Sequence, residues 1–158
     1  MRSRGQGPAW RAWLLALALL ASAQPAAAQR VRQVIDGDTI TVSGVGVVRL
    51  IGVDAPEKTG GYRDSEPFGD AAATFMRRLL EGHTVRLEYD GDRKDQYNRT
   101  LAYVFLEDGR LANVEIIRAG YAEVYRRFDY RRKPDFFAAE RDAKDARRGM
   151  WATRKPRR

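Results

Sequence analysis

The sequence contains no cysteine and only one histidine. The absence of thiols excludes cysteine nucleophiles, thiolate metal sites and stabilising disulfides. His83 alone is a poor basis for a zinc site, which usually takes roughly three or four protein ligands. It follows Gly82 and precedes a strand-like run, so we interpret it as a turn or strand-edge residue. Carboxylate and guanidinium groups are therefore the reactive groups that deserve examination.

The sequence also lacks an apolar run of the ~20 residues that a membrane-spanning helix needs. Its longest apolar stretch, residues 14–21, follows three arginines and precedes three alanines at positions 26–28. This order predicts a secretory signal peptide over residues 1–28, cleaved after Ala28. Cleavage after Ala23 and an uncleaved anchor are the alternatives. The remaining 130 of the 158 residues suit one domain, exported to the periplasm or secreted, with no stable membrane partner after cleavage.

Acidic residues are outnumbered, with 21 Asp and Glu against 29 Lys and Arg, and the formal net charge is +8. Removing the three arginines of the signal leaves 26 basic residues, or +5. This excess favours a polyanionic partner such as nucleic acid, although ordinary solubility gives a similar excess. The last residues, 153–158, predict a basic disordered tail with non-specific attraction to nucleic acid.

Most of the reactive groups are concentrated between residues 34 and 57. The stretch contains four carboxylates and one arginine within an apolar run: Asp36, Asp38, Arg49, Asp54 and Glu57. Hard carboxylate oxygens suit Ca²⁺ or Mg²⁺, and a guanidinium beside such an ion suits a phosphate. Taken alone, the same Asp-Gly and Asp-Ala-Pro segments are more typical of ordinary turns than of a metal site.

Apolar runs and helical spacing predict short strands with interspersed helices. Strands are expected at 34–35, 39–42, 45–53, 84–89, 101–106 and 121–125. Helices are expected from Phe68 to Gly82, over 111–119, and from Pro134 to about Trp151. The pattern predicts a small closed or partly closed β-barrel with flanking helices.

The combination of an acidic turn, an arginine in an apolar strand and Asp54-Ala55-Pro56-Glu57 resembles the staphylococcal nuclease (thermonuclease) family. Residues 95–103 resemble the family's second arginine motif, and residues 114–122 and 139–151 resemble its later segments. The resemblance spans roughly residues 30–152. It implies an α+β OB-fold domain over residues 29–152, with a five-stranded β-barrel and about three flanking helices.

The resemblance also implies catalytic roles for three residues. Arg49 and Arg99 match the guanidinium groups that bind the scissile phosphate and oppose its growing charge. Glu57 matches the carboxylate that positions, and is proposed to deprotonate, the attacking water.

A calcium site is implied by the same resemblance. Asp38, Asp54 and the Ala55 backbone carbonyl match the ligands of one Ca²⁺ ion. The family usually has threonine at position 55, a difference that preserves the carbonyl. Asp36 is placed beside the metal, where it orients the ligands rather than binding the ion.

The match to the family is weaker at the positions that contact the substrate. Tyr97 either packs against the protein or stacks and hydrogen-bonds near a nucleotide, and the sequence does not choose between these roles. Arg63, in the polar loop after Glu57, is a candidate for a phosphate contact. Three positions depart from the family pattern: Gln96 replaces a lysine that contacts a terminal phosphate, and Arg126 and Phe128 replace tyrosines of the nucleotide pocket.

The resemblance therefore implies a Ca²⁺-dependent nuclease, and the N-terminal signal pattern predicts that it is exported. We expect a monomer, since nothing in the sequence requires more. It is expected to hydrolyse DNA and also RNA with little sequence specificity, leaving 3′-phosphate products. The main alternative is a non-catalytic OB-fold module that binds nucleic acid, because some relatives keep the barrel and lose the catalytic residues. A third hypothesis is an envelope structural protein that binds anionic surfaces through its tail. The matching set of reactive residues favours the nuclease.

Overall fold

The computed structural model of the protein describes residues 28–60 and 64–153. The predicted signal peptide, Arg63 and the tail beyond Thr153 lie outside the described residues, apart from Ala28 at the end of the signal. Within the described ranges, no helix combines the length and apolar character that a membrane span requires.

Over residues 28–60 and 64–153 the fold consists of seven strands and three α-helices. The strands are β1 (Gln29–Val34), β2 (Thr39–Val42), β3 (Gly46–Leu50), β4 (Val53–Asp54), β5 (Thr84–Glu88), β6 (Thr100–Leu106) and β7 (Glu123–Val124). The helices are α1 (Gly69–Leu80), α2 (Ala112–Arg118) and α3 (Lys133–Asp145), followed by a 3-10 turn, Gly149–Ala152.

Five of the strands form a closed barrel in the order β1-β2-β3-β6-β5. Neighbouring strands are antiparallel except β3 and β6, which run parallel, with Arg49 opposite Leu101. The barrel closes where Gln29 and Arg30 of β1 pair with β5. Closure leaves the barrel without free strand edges. The predicted OB-type barrel with about three helices is confirmed.

A two-stranded sheet outside the barrel is formed by β4 and β7. The sequence predicted one strand over residues 45–53, which is wrong because the chain turns at Gly52. Gly52 has φ +75°, and a Cβ there would lie 2.5 Å from the ring of Phe136. The turn directs Val53 and Asp54 away from the barrel to pair with β7.

Helices α1 and α2 pack their apolar faces onto the barrel, and α3 packs mainly against α2 and β7. In α1 the buried residues recur at helical spacing: Ala72, Ala73, Met76 and Leu80. In α2 the side chain of Asn113 is fully buried and binds backbone groups of the barrel. Its Oδ1 accepts from Val104 N–H at 2.9 Å, and its Nδ2 donates to Ile51 O at 2.9 Å. Asn113 thereby joins α2 to the end of β3 and to β6.

The first strand is longer than predicted. The sequence indicated only residues 34–35, whereas β1 begins at Gln29. Polar residues dominate its exposed positions, and the register shifts between Val31 and Gln33. Both features hide the period-two pattern by which a strand is recognised.

Candidate active site

Strands β2 and β3 bring Asp38 and Arg49 together. Asp38 precedes β2, and its backbone oxygen accepts from Leu50 N–H at 2.8 Å. The two side chains meet in an ion pair with Arg49 Nη2 2.9 Å from Asp38 Oδ2. Both are largely shielded from water, with side-chain exposures of 17% for Arg49 and 10% for Asp38.

The carboxylate of Asp38 also joins the β2 end to the segment after β4. Its Oδ2 accepts from Ala55 N–H at 3.0 Å, and its Oδ1 accepts from Thr39 Oγ1 at 3.0 Å. The pKa of the Asp38 carboxyl is raised to about 7. Burial is the main cause; Arg49 lowers the pKa, and the neighbouring Asp36 raises it. The neighbouring groups therefore compensate only part of the cost of burying this negative charge.

Close packing at Gly37 allows this arrangement. A Cβ at that position would lie 2.5 Å from the Cβ of Ala55 and 2.9 Å from the Cβ of Ala72. Glycine thus lets the acidic turn contact both the post-β4 segment and α1. The Asp-Gly pair is a turn, as its sequence allows, and it also sets the position of Asp38.

The guanidinium of Arg49 is fixed by backbone oxygens. Its Nη1 donates to Leu50 O at 3.1 Å and to Val53 O at 2.8 Å. These bonds and the Asp38 ion pair orient the planar group at the junction of β3 and β4.

Asp54 lies at the surface end of β4, opposite Glu123 of β7. Desolvation by the surrounding protein raises the pKa of its carboxyl, and Arg49 partly opposes this effect. Within the described part of the chain, no three His, Cys, Asp or Glu side chains converge to hold a metal ion by themselves. A cation here would draw on Asp38, Asp54, a backbone carbonyl, and oxygens of water or substrate. These hard oxygens, with two carboxylates of raised pKa, fit Ca²⁺ or Mg²⁺ in chemistry.

Glu57 follows in an irregular segment whose backbone is tied to the chain just before α1. Its N–H donates to Glu66 Oε2 at 3.2 Å, and its carbonyl accepts from Glu66 N–H at 2.8 Å. Two residues later, Thr59 Oγ1 donates to Asp70 Oδ2 in the first turn of α1 at 2.8 Å. The segment is therefore anchored on both sides of Lys58.

Arg99 lies immediately before β6, the strand that pairs with β3. Leu101 of β6 is the parallel partner of Arg49, so Arg99 lies two residues along the chain from that partner. Arg99 Nε binds Asp95 Oδ2 at 2.7 Å, and its guanidinium lies 5.3 Å from the centre of the Tyr97 ring. The Tyr97 residue is 67% exposed.

The remaining predicted positions have distinct surroundings. Asp36 Oδ1 accepts from Asp38 N–H at 3.0 Å, so it supports the acidic turn. Gln96 is exposed. Arg126 is turned towards α3, with Nη2 2.5 Å from Glu140 Oε2, while the exposed Phe128 stacks on Tyr125 with ring centres 5.7 Å apart.

Sequence reasoning missed one buried charged residue, Glu140, which is 3% exposed. A signal was present in the helical spacing. Phe136, Ala139 and Ala143 mark the apolar face of α3, and position 140 belongs to the same face. A glutamate at such a position predicts a buried, paired carboxylate.

Comparisons with known proteins agree with this architecture. A family model described as "Staphylococcal nuclease homologue" matches residues 47–153, a range that includes Arg49, Asp54, Glu57 and Arg99. The chain is 47% identical to the thermonuclease of Staphylococcus intermedius over 95 residues, which are 58% of this chain and 56% of that protein. It is 37% identical to the thermonuclease of Staphylococcus hyicus over 127 residues, covering 78% of this chain and 75% of that protein.

A more distant similarity joins the chain to an uncharacterised endonuclease of Escherichia coli O157:H7. The two are 36% identical over 130 residues, covering 80% of this chain and 78% of the relative. The chain thus spans just over half of the S. intermedius protein and about three quarters of the other two. With the family model matching most of its length, the chain belongs to the staphylococcal nuclease family.

Proposed function

We propose that this nuclease is an exported, calcium-dependent enzyme that hydrolyses DNA and RNA with little sequence specificity, leaving 3′-phosphate products. The observation that carries the proposal is the contact of Arg49 with Asp38, beside the Asp54–Ala55 segment. This contact supports the proposal because a guanidinium, which suits a phosphate, lies next to oxygens that suit a hard cation. Relatives named thermonuclease and endonuclease support the reaction class.

The proposed ligands are Asp38, Asp54 and the backbone carbonyl of Ala55. A Ca²⁺ ion bound there would polarise the phosphate and offset the charge of the buried Asp38. The small number of protein carboxylates implies weak affinity, which suits a compartment with high free calcium. Export itself rests on the N-terminal sequence pattern.

Each reactive side chain then has a defined task. Glu57 orients a water molecule and accepts its proton as the water oxygen attacks phosphorus. Arg49 and Arg99 oppose the negative charge that grows on the phosphoryl oxygens. The bond from phosphorus to the 5′ oxygen breaks, and that oxygen takes up a proton, which yields a 5′-hydroxyl and a 3′-phosphate.

Fixed orientation of the two arginines favours phosphate binding. Arg49 is held through Nη1 by two carbonyl oxygens and through Nη2 by Asp38, and Arg99 is held through Nε by Asp95. Of the five N–H groups of Arg49, these contacts leave the Nε–H and one Nη2–H for a phosphate, and Arg99 has its Nη groups. Preorganisation of this kind avoids reorienting dipoles during the reaction.

The test is cleavage of a fluorescent single-stranded DNA by the purified protein with Ca²⁺, Mg²⁺ or EDTA, alongside Arg49→Ala and Glu57→Ala. We expect Ca²⁺-dependent cleavage that both substitutions abolish, and a 3′-phosphate on the released fragments. DNA that is bound but recovered intact would instead indicate the non-catalytic module. Cleavage that survives both substitutions would show that the site is misplaced.

A further inference from the structure

Glu140 is a buried carboxylate that the proposed reaction does not use. Its side chain is 4% exposed in the middle of α3. Oε1 accepts from Val124 N–H at 3.0 Å, and Oε2 is bound by Arg126 Nη2 at 2.5 Å and Lys144 Nζ at 2.7 Å. Burial raises the pKa of Glu140, but the bonds from Lys144, Val124 and Arg126 outweigh it and hold the pKa below its usual range.

The residue that Glu140 binds, Val124, belongs to β7 and pairs with Val53 of β4. The carbonyl of Val53 accepts the 2.8 Å bond from Arg49 Nη1. The next residue along β4 is Asp54, a proposed calcium ligand. A continuous series of contacts therefore runs from α3 through β7 and β4 to both Arg49 and Asp54.

The two-stranded sheet of β4 and β7 needs contacts with the rest of the protein to be stable. β4 and β7 have two residues each and lie outside the barrel's ladder. An isolated two-stranded sheet is marginal in water even when its strands are longer. Tyr125 N–H adds a bond to Gly52 O at 2.9 Å, and Glu140 supplies the side-chain acceptor that fixes β7 against α3.

We propose that Glu140 is a positioning residue that sets the places of the Arg49 guanidinium and the Asp54 carboxylate by holding β7, the partner strand of β4, against α3. The proposal rests on the proposed nuclease function, since those two groups are its phosphate-binding and metal-binding parts. Glu140 does not touch the substrate in this scheme. It acts through the Val124 N–H bond, whereas its bonds to Arg126 and Lys144 neutralise its charge.

Because the two oxygens of Glu140 have different roles, different substitutions test them separately. Glu140→Asp shortens the side chain and withdraws the acceptor from Val124 while keeping the charge. Glu140→Gln keeps an acceptor oxygen at the original length. Lys144→Met removes a partner of the other carboxylate oxygen, and Val85→Ala shortens a buried side chain on β5, away from β4 and β7.

Two measurements on the purified protein show whether Glu140 positions the site residues or only stabilises the fold. The first is kcat and KM for cleavage of single-stranded DNA with saturating Ca²⁺, well below each variant's melting temperature. We expect Glu140→Asp to lower kcat about tenfold or more with little change in KM, because small displacements of catalytic groups cost large factors in rate. Glu140→Gln should restore most of kcat, and Lys144→Met and Val85→Ala should keep it.

The second measurement is the ¹H–¹⁵N resonance of Arg49 Nε in the metal-free protein, which requires no activity. Glu140→Asp should shift or broaden this resonance, and Val85→Ala should leave it in place. A wild-type resonance and kcat in Glu140→Asp would overturn the proposal, as would an equal loss of kcat in an equally destabilised Val85→Ala. A wild-type protein that cleaves no DNA would refute the nuclease function, while the resonance would still report on positioning.

Discussion

Arg49 Nη2 lies 2.9 Å from Asp38 Oδ2, so the guanidinium that is proposed to bind phosphate also neutralises a proposed calcium ligand. The two groups come from adjoining ends of β2 and β3 and share a site that is largely closed to water. Coulombic interactions are stronger in such a site than in bulk solvent. The site therefore depends on the geometry of this pair as well as on its charges.

Replacing Arg49 by lysine tests that geometry. A single ammonium group cannot bind Asp38 and the carbonyls of Leu50 and Val53 as the planar fork does. We expect Arg49→Lys to fold normally and to lose about 100-fold to 1,000-fold in kcat, the usual effect of removing one transition-state donor. Steady-state cleavage of single-stranded DNA measures the loss. Arg86→Lys, at an exposed arginine of β5, should be unaffected; near-wild-type activity in Arg49→Lys would mean that charge alone suffices.

Gly37→Ala tests the close packing of the acidic turn. The new methyl group would overlap the Cβ atoms of Ala55 and Ala72, so the turn or its neighbours must move. We expect a loss of about 1–3 kcal/mol in the free energy of unfolding, measured in urea, and reduced cleavage. Adding Ala55→Gly removes the closer of the two overlaps and should recover part of both losses. Wild-type stability in the single variant would show that the turn has room.

Asn113→Ala tests the buried link between α2 and the barrel. The substitution leaves Val104 N–H and Ile51 O without their side-chain partner in a fully buried place. We expect a loss of about 2–4 kcal/mol in the free energy of unfolding, because each orphaned polar group costs roughly 1–3 kcal/mol. Asn113→Asp should be at least as damaging at pH 7, since a carboxylate cannot donate to Ile51 O. A denaturation midpoint equal to that of the wild type would contradict this role.

Asp90→Asn should change how stability depends on pH. Burial raises the pKa of Asp90, but donors from Arg131 and Tyr103 outweigh it and lower the pKa overall. Its Oδ2 accepts from Tyr103 Oη and from Arg131 N–H, both at 2.7 Å. A carboxylate with a lowered folded pKa stabilises the protein above its unfolded pKa, and this stability is lost as pH falls through the folded pKa.

Melting temperatures at pH 7 and near pH 3 check this expectation. Asp90→Asn should melt below the wild type at pH 7, and the gap should narrow in acid. Asp108→Asn, at an exposed carboxylate, is the control and should melt close to the wild type at both pH values. If the difference in melting temperature between Asp90→Asn and the wild type is the same at both pH values, the effect of the substitution comes from altered hydrogen-bond geometry and not from the lost charge.

Most strands and helices could be predicted from local signals, whereas closure of the barrel and the roles of the site residues were implied by the family resemblance. Asp38, Arg49 and Asp54 lie in short motifs at strand ends; the structure pairs Asp38 with Arg49 and places the Asp38 carboxylate against Ala55 N–H, just after Asp54. The break at Gly52 could not be predicted in this way, because it depends on the rings of Phe136 and Tyr130 from a distant part of the chain. Helical periodicity also cannot show that the carboxylate of Glu140 in α3 binds the backbone of β7.

The parallel pairing of β3 with β6 has a kinetic consequence. Arg99, at the start of β6, comes close along the chain to the strand partner of Arg49 only after the chain has passed through α1 and β5 and returned to the edge of β3. Pairing of such sequence-distant segments is slow compared with the formation of helices and of the β2–β3 hairpin. During refolding from denaturant, helical circular dichroism should therefore recover before DNA cleavage does. The delay between the two signals would measure how long a chain with most of its secondary structure remains catalytically silent.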